Sequence, residues 1–267
     1  MAAIELDMAG PIARLTLNRP EVGNALDSAA CELMLHHARE VERSPHVRCL
    51  ILAGQGRHFS TGGDLSSLAP LLADPATNMR GVFESNVVRM ANEFCQVIER
   101  LPVPVIASVR GAVTGGGFGF ACAADFIVAS DTAFFLAAHI LAGLTPDGGI
   151  SWYLTRLLGP KLAKDILMLP ERIDAAEALR IGLVREVVPD AELEAATQLL
   201  AERLVAMPRI ALAGIKALVN AAPQHSFADH LQMEARLMGL AAEHPDFREG
   251  VAAFAEKRKP RFGQGDG

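Results

Sequence analysis

Apolar and polar positions alternate over residues 4–17, and Gly10-Pro11 interrupts the alternation, which predicts a β-hairpin. Asp27 stands ahead of an apolar-periodic stretch that ends near Arg43, so the spacing predicts a helix capped by Asp27. Residues 48–53 and 103–109 are strand-length stretches dominated by apolar residues, the pattern of strands buried on both faces. Between them, Val82, Phe83, Val87, Met90, Phe94, Val97 and Ile98 recur near helical spacing and predict one amphipathic helix over 78–100. A short buried helix over 117–124 and a strand over 126–129 follow. Beyond Trp152 helical patterns dominate. Asp174 caps a helix over 175–180 that Gly182 ends, and a short strand over 184–188 precedes Pro189. Helices are expected over 190–206, 209–222, 226–243 and 245–257, with 263–267 frayed. Strands alternating with helices through the first part of the chain make the fold class α/β.

Two glycine clusters punctuate this pattern. One runs from Gly54-Gln55-Gly56 to Gly62-Gly63-Asp64, after the apolar run 49–53; the other runs from Gly111 to Gly115-Gly116-Gly117, after the run 104–109. Each precedes a helix-like stretch. Bare backbone between a strand end and a helix start presents unpaired N–H groups to a ligand. Two such groups aimed at one point hold a developing oxyanion. The plainer reading of either cluster alone is a tight turn or close helix packing. Residues 115–119 do not form G-x-G-x-x-G, and no acidic residue ends a following strand where a dinucleotide site needs it. Asp64 is expected to cap a helix, and His58 to lie on the surface. Pro146-Asp147-Gly148 is turn chemistry: Asp147 caps the helix that begins near Gly149, or serves as a pocket carboxylate, and the two roles are not exclusive. His139 reads as a proton carrier, a substrate hydrogen-bond partner, or a bonded pocket histidine without chemistry.

Five segments, in order along residues 4–262, resemble the crotonase superfamily, the enoyl-CoA hydratase/isomerase family. They are Leu15-Thr16-Leu17-Asn18-Arg19-Pro20 with Asn24-Ala25-Leu26; Phe59-Ser60-Thr61-Gly62-Gly63-Asp64-Leu65; Gly111 to Gly117; Gly143-Leu144-Thr145-Pro146-Asp147-Gly148-Gly149; and Phe254-Ala255-Glu256-Lys257-Arg258. The resemblance implies a spiral core of stacked ββα repeats over 1–200 and a helical trimerisation region over 201–267, in a trimer or a hexamer of paired trimers. It implies that the N–H groups of Gly63 and Gly116 form an oxyanion hole for a thioester enolate. The substrate it implies is an acyl-CoA, with coenzyme A arriving as part of the substrate and no permanently bound cofactor or metal. Ala25 would belong to the adenine-side wall, Phe254 and Lys257 would touch coenzyme A from a neighbouring subunit, and Arg57 is a further contact. Val22 and Gly23 stand where the family carries a basic residue, which weakens one phosphate contact.

The family's hydratases bring two glutamates, and here their positions hold Gly119 and His139. General acid–base catalysis contributes about 10²–10⁴-fold, so a hydratase without either would be severely impaired. The Asp147 variant resembles members that isomerise unsaturated or ring-opened acyl-CoA thioesters with one carboxylate; the dehalogenase branch has a nucleophilic aspartate there. Moving a double bond needs one group that removes a proton from one carbon and returns it to another. The resemblance thus favours an isomerase of fatty-acid-type metabolism with Asp147 as the acid–base group and His139 beside it. Hydratase, lyase, hydrolase, decarboxylase and a non-catalytic acyl-CoA binder are the alternatives. Glu84, on the helix from which some members draw a pocket acid, is otherwise a solvated side chain.

Composition narrows this further. Of 267 residues, 51% are apolar, enough for a sizeable core, and only 5% are aromatic, which suits close helix–strand packing. A net charge of −6 argues against nucleic-acid or polybasic membrane partners. Cys31, Cys49, Cys95 and Cys122 stand singly in apolar runs without metal-ligand spacing and are expected to be buried, reduced thiols. No apolar run spans a bilayer and residues 1–5 lack a signal-peptide pattern, so a soluble, cytoplasmic protein is expected.

Overall fold

The opening alternation folds as β1 (Ile4–Asp7) and β2 (Ile12–Leu17), antiparallel, with Ile4 opposite Leu17. The computed structural model describes residues 2–263, less the side chains of Asn86 and Val87; the fraying expected of 264–267 lies outside the described residues. The chain continues through α1 (Ser28–Arg43), β3 (Cys49–Gly54), α2 (Ala69–Ala73), α3 (Met79–Val82), α4 (Val88–Arg100), β4 (Val105–Val109), β5 (Ala112–Thr114), α5 (Gly116–Ala123), β6 (Phe126–Ser130) and β7 (Phe134–Leu136). Then come α6 (Ile150–Met168), β8 (Ile173–Asp174), α7 (Ala175–Arg180), β9 (Glu186–Val188), α8 (Leu193–Val205), α9 (Arg209–Ala221), α10 (Phe227–Glu243) and α11 (Pro245–Glu256).

Six strands form one sheet in the order β1-β2-β3-β4-β6-β9, parallel after the first hairpin. β5, β7 and β8 form a smaller second sheet. The two sheets generate a repeating ββα step. β4-β5-α5 and β6-β7-α6 each place one strand in either sheet and then a helix. Single parallel bridges, Ser60 to Val113 and Leu26 to Gly63, carry the second layer back to the segments that follow β3 and β2. This is the spiral of ββα units that the resemblance implies.

β3 shows why its sequence is an unbroken apolar run. Leu50 and Leu52 join the core that holds Met34, Phe94 and Ile98, while Cys49, Ile51 and Ala53 pack with Leu193, Leu200 and Ala201 of α8 on the opposite face. Both predicted caps form: Asp27 accepts from the Ala30 N–H and Asp174 from the Glu177 N–H, each at 2.8 Å. The single helix expected over 78–100 is instead interrupted by a π turn over Phe83–Val87. A π turn absorbs one extra residue and re-phases the helix after it, so Met90, Phe94, Val97 and Ile98 all reach the core while Val82 and Phe83 stay half-buried.

The C-terminal helices are different in kind. α9 and α10 bury no residue, and Val219, Phe227, Met238, Phe247, Val251 and Phe254 are exposed. No single helix among the described residues is long and apolar enough to cross a membrane.

Candidate active site

The two glycine clusters meet edge to edge. Ser60 N–H donates to Ala112 O and Thr114 N–H to Ser60 O, at 3.0 and 2.9 Å. A Cβ on Gly62 would lie 3.2 Å from Gly116 N, so the two backbones touch. Leu26 N–H donates to Gly62 O and Asp64 N–H to Leu26 O, which pins the peptides on both sides of Gly63 and turns the Gly63 N–H the other way. Gly116 is the first residue of α5, where an N–H has no intrahelical acceptor. Neither N–H donates a hydrogen bond among the described residues, and the space beside Gly63 is open.

Asn24, 1% exposed, ties its own segment to the first of these loops. Its Oδ1 accepts from Arg19 N–H, its Nδ2 donates to Gln55 O and His58 O, and its own carbonyl accepts from Ser60 Oγ. Contrary to expectation, Asp64 does not cap a helix with its side chain; it accepts from Ser66 Oγ and pairs with Arg19, 3.1 Å away. The Ser66 hydrogen bond, with help from Arg19, holds its carboxyl below the usual carboxylate range. His58 is not a surface side chain either. Its Nδ1 accepts the Ala112 N–H at 3.0 Å, which locks the turn before β5.

The Asp147 turn lies against the start of α5. Gly148 and Gly149 follow it with φ of +57° and +73°, a pair of left-handed residues that only glycines adopt without strain. This geometry settles one alternative. Gly149 is the residue that caps α6, and no side chain caps it; Asp147 meets that helix only through its carbonyl, which accepts from Ile150 N–H at 3.2 Å. Its carboxylate turns instead toward α5, with Oδ1 3.5 Å from where a Cβ on Gly116 would stand. His139 Nε2 lies 3.0 Å from the same oxygen, and the two side chains are 10% and 23% exposed.

Gly119 shows why no acid stands at the first hydratase position. A Cβ there would lie 2.6 Å from Gly148 O, because the Asp147 turn packs directly on that helix face. Gly119→Ala is therefore expected to lower the unfolding free energy by about 1–3 kcal/mol despite its better helix propensity. A fall in the denaturant midpoint at constant m value checks this; an unchanged or raised midpoint would contradict the close approach.

Asn92 and Cys95 of α4 hold the turn from behind and were not singled out as site residues by sequence reasoning. Gly148 N–H donates to Asn92 Oδ1 at 3.2 Å, and Cys95 Sγ–H donates to Gly148 O at 3.3 Å. The signal available was their i, i+3 spacing, but spacing cannot say what that helix face meets. The four cysteines are free thiols; Cys31, Cys49 and Cys95 are buried as expected, and Cys122 is half-buried.

Among the residues expected to hold coenzyme A, Ala25 is buried beside the first glycine loop and Arg57 is exposed at its tip. Phe254, 88% exposed, lines a separate apolar groove of about 440 Å³ with Ile210, Met238, Phe247 and Val251. Lys257 ends α11 in a left-handed conformation. Glu84 is exposed and paired with Arg80.

Residues 7–265 match the family model described as Enoyl-CoA hydratase/isomerase. The chain is 37% identical, over 97% of both chains, to a Rhodobacter capsulatus protein called "Probable enoyl-CoA hydratase". It is 34% identical, over 93% of both, to the 1,2-epoxyphenylacetyl-CoA isomerase of Escherichia coli. Its fold superposes on the crystal structure of an enoyl-CoA hydratase from Polaromonas sp. JS666 with a TM-score of 0.89 and 33% identity, covering 97% of this chain and 99% of that one.

Proposed function

Because this chain belongs to the enoyl-CoA hydratase/isomerase family, we propose that it moves a double bond within an enoyl-CoA thioester, with Asp147 as the single carboxylate that removes and returns the proton. With a 3-enoyl thioester, Asp147 takes a proton from the α carbon. The C–H electron pair moves into the thioester, whose carbonyl oxygen becomes an enolate held by the Gly63 and Gly116 N–H groups. The proton then goes back to the γ carbon, leaving the conjugated 2-enoyl product.

One observation carries this reading. Asp147, with His139 at its Oδ1, lies against the first residue of α5, while Gly119, where the resemblance places the hydratase's first glutamate, is closed off by Gly148 O. The isomerase name of the Escherichia coli relative supports it. The name of the Rhodobacter relative favours water addition as the second reading. The test is to supply a 3-enoyl-CoA and follow the conjugated thioester by absorbance and the product by mass. Double-bond migration without gain of water is the expected result. A product heavier by one water would replace this reading with a hydratase.

Ala25, Arg57, Phe254 and Lys257 are the proposed coenzyme A contacts. Assembly into trimers, or hexamers of paired trimers, is supported by the apolar side chains exposed along α9, α10 and α11.

A further inference from the structure

His139 follows β7 on a short 3₁₀ segment, Ala138–Ala142, and its two ring nitrogens stand in different surroundings. Nε2 faces Asp147 Oδ1 at 3.0 Å. Nδ1 is buried and has no hydrogen-bond partner among the described residues. A neutral imidazole carries a single N–H. Placed on Nδ1, that proton would be buried without an acceptor, while Nε2 would turn a lone pair toward a carboxylate oxygen. An unmet buried donor of this kind is strongly disfavoured. Placed on Nε2, the proton is donated to Oδ1, and only one lone pair goes unused. A doubly protonated ring would again bury an Nδ1–H with nothing to receive it.

Asp147 has a matching asymmetry. Oδ1 is engaged by His139, whereas Oδ2 accepts no hydrogen bond among the described residues and is not one of the buried unpartnered atoms. The turn that carries it is fixed from α4 through Asn92 and Cys95. The thiols of Cys31 and Cys95 lie close enough to Asp147 to feel its charge. Burial, reinforced by the Asp147 charge, pushes both up, Cys31 to about 12, so they remain S–H at neutral pH.

We infer that His139 is a positioning residue and not a second proton carrier: held as the Nε2–H tautomer, it fixes Asp147 Oδ1 and leaves Oδ2 as the one atom that takes the substrate proton and returns it. The inference rests on Asp147 being the base. It adds a stereochemical consequence. A single oxygen on one side of the enolate removes and delivers the proton on the same face.

Two substitutions separate a positioning donor from a proton carrier. The amide of His139→Gln can donate to Oδ1 but cannot carry the proton; His139→Leu can do neither. The Gln variant is expected to keep kcat within about fivefold and the Leu variant to lose about 10–100-fold in kcat with KM nearly unchanged, since misplacement of a reacting group by about 1 Å costs up to about 100-fold. The pH dependence of kcat in the Gln variant is expected to keep the wild-type shape. Circular dichroism and enoyl-CoA binding establish that each variant is folded, and the comparison of Gln with wild type suffices if Leu is not. A Gln variant as slow as Leu, with an ionisation missing from its profile, would overturn the inference. So would full activity in both. Asp147→Asn, run alongside, separates the two claims: retained turnover there would mean that the base itself is misassigned.

Discussion

Asp147→Asn is expected to abolish double-bond migration and leave enoyl-CoA binding intact. The substitution is nearly isosteric, and its consequences should be confined to proton transfer. The contact of this residue with α6 is made by its backbone carbonyl, which the variant keeps. The neighbouring turn is held by Gly148, Asn92 and Cys95, none of which depends on the carboxylate. His139 Nε2–H can still donate to the asparagine carbonyl. What the amide cannot do is accept a proton from carbon. Loss of a general acid–base group lowers turnover by about 10²–10⁴-fold. Steady-state kinetics with a 3-enoyl-CoA, paired with calorimetric binding of the same thioester, checks both halves. Turnover within tenfold of wild type would remove Asp147 from the chemistry.

Gly116→Pro is the second large effect. Proline is accepted at the first position of a helix, where the N–H has no intrahelical partner, so the fold is expected to survive. The substitution deletes the N–H that α5 is proposed to offer the oxyanion. Removing such a donor costs about 10²–10³-fold in kcat. Gly116→Ala is the control. It keeps the N–H, and its Cβ would stand 3.5 Å from Asp147 Oδ1, an ordinary contact. The proline variant should slow every substrate, including α-proton exchange on a saturated acyl-CoA, and the alanine variant far less. A folded proline variant with wild-type rates would mean that the enolate oxygen is held elsewhere.

Much of this architecture was legible because it is written in local chemistry. The β1–β2 hairpin follows from alternation and Gly10-Pro11, the caps at Asp27 and Asp174 from residue type ahead of an apolar period, and the doubly buried β3 from an unbroken run of apolar residues. The glycine clusters stood out because bare backbone at two strand ends is uncommon without a use.

What was not legible depends on distant partners or on the direction of a single side chain. Asp147 looked equally suited to capping α6 and to chemistry. Only the closeness of its Oδ1 to Gly116, 3.5 Å from where a Cβ there would stand, shows the carboxylate turned toward α5. His58 looked like a turn residue on the surface because its partner, the Ala112 N–H, lies 54 positions away. Asn24, next to Ala25 of the expected adenine-side wall, is a knot of four hydrogen bonds joining the 18–26 segment to the 54–64 loop. The π turn at Phe83–Val87 escaped detection because one inserted residue hardly disturbs an apolar stripe read by eye along the chain.

The most direct test of a single carboxylate that removes and returns one proton is migration in deuterium oxide. A 3-enoyl-CoA deuterated at the α carbon, and the unlabelled compound, are incubated with the enzyme, and label at the α and γ carbons is read by mass spectrometry and NMR. The account predicts double-bond migration with part of the α label recovered at the γ carbon of the same molecule, solvent deuterium making up the remainder, and no gain of water. Addition of water across the double bond, or migration that persists undiminished in Asp147→Asn, would contradict it.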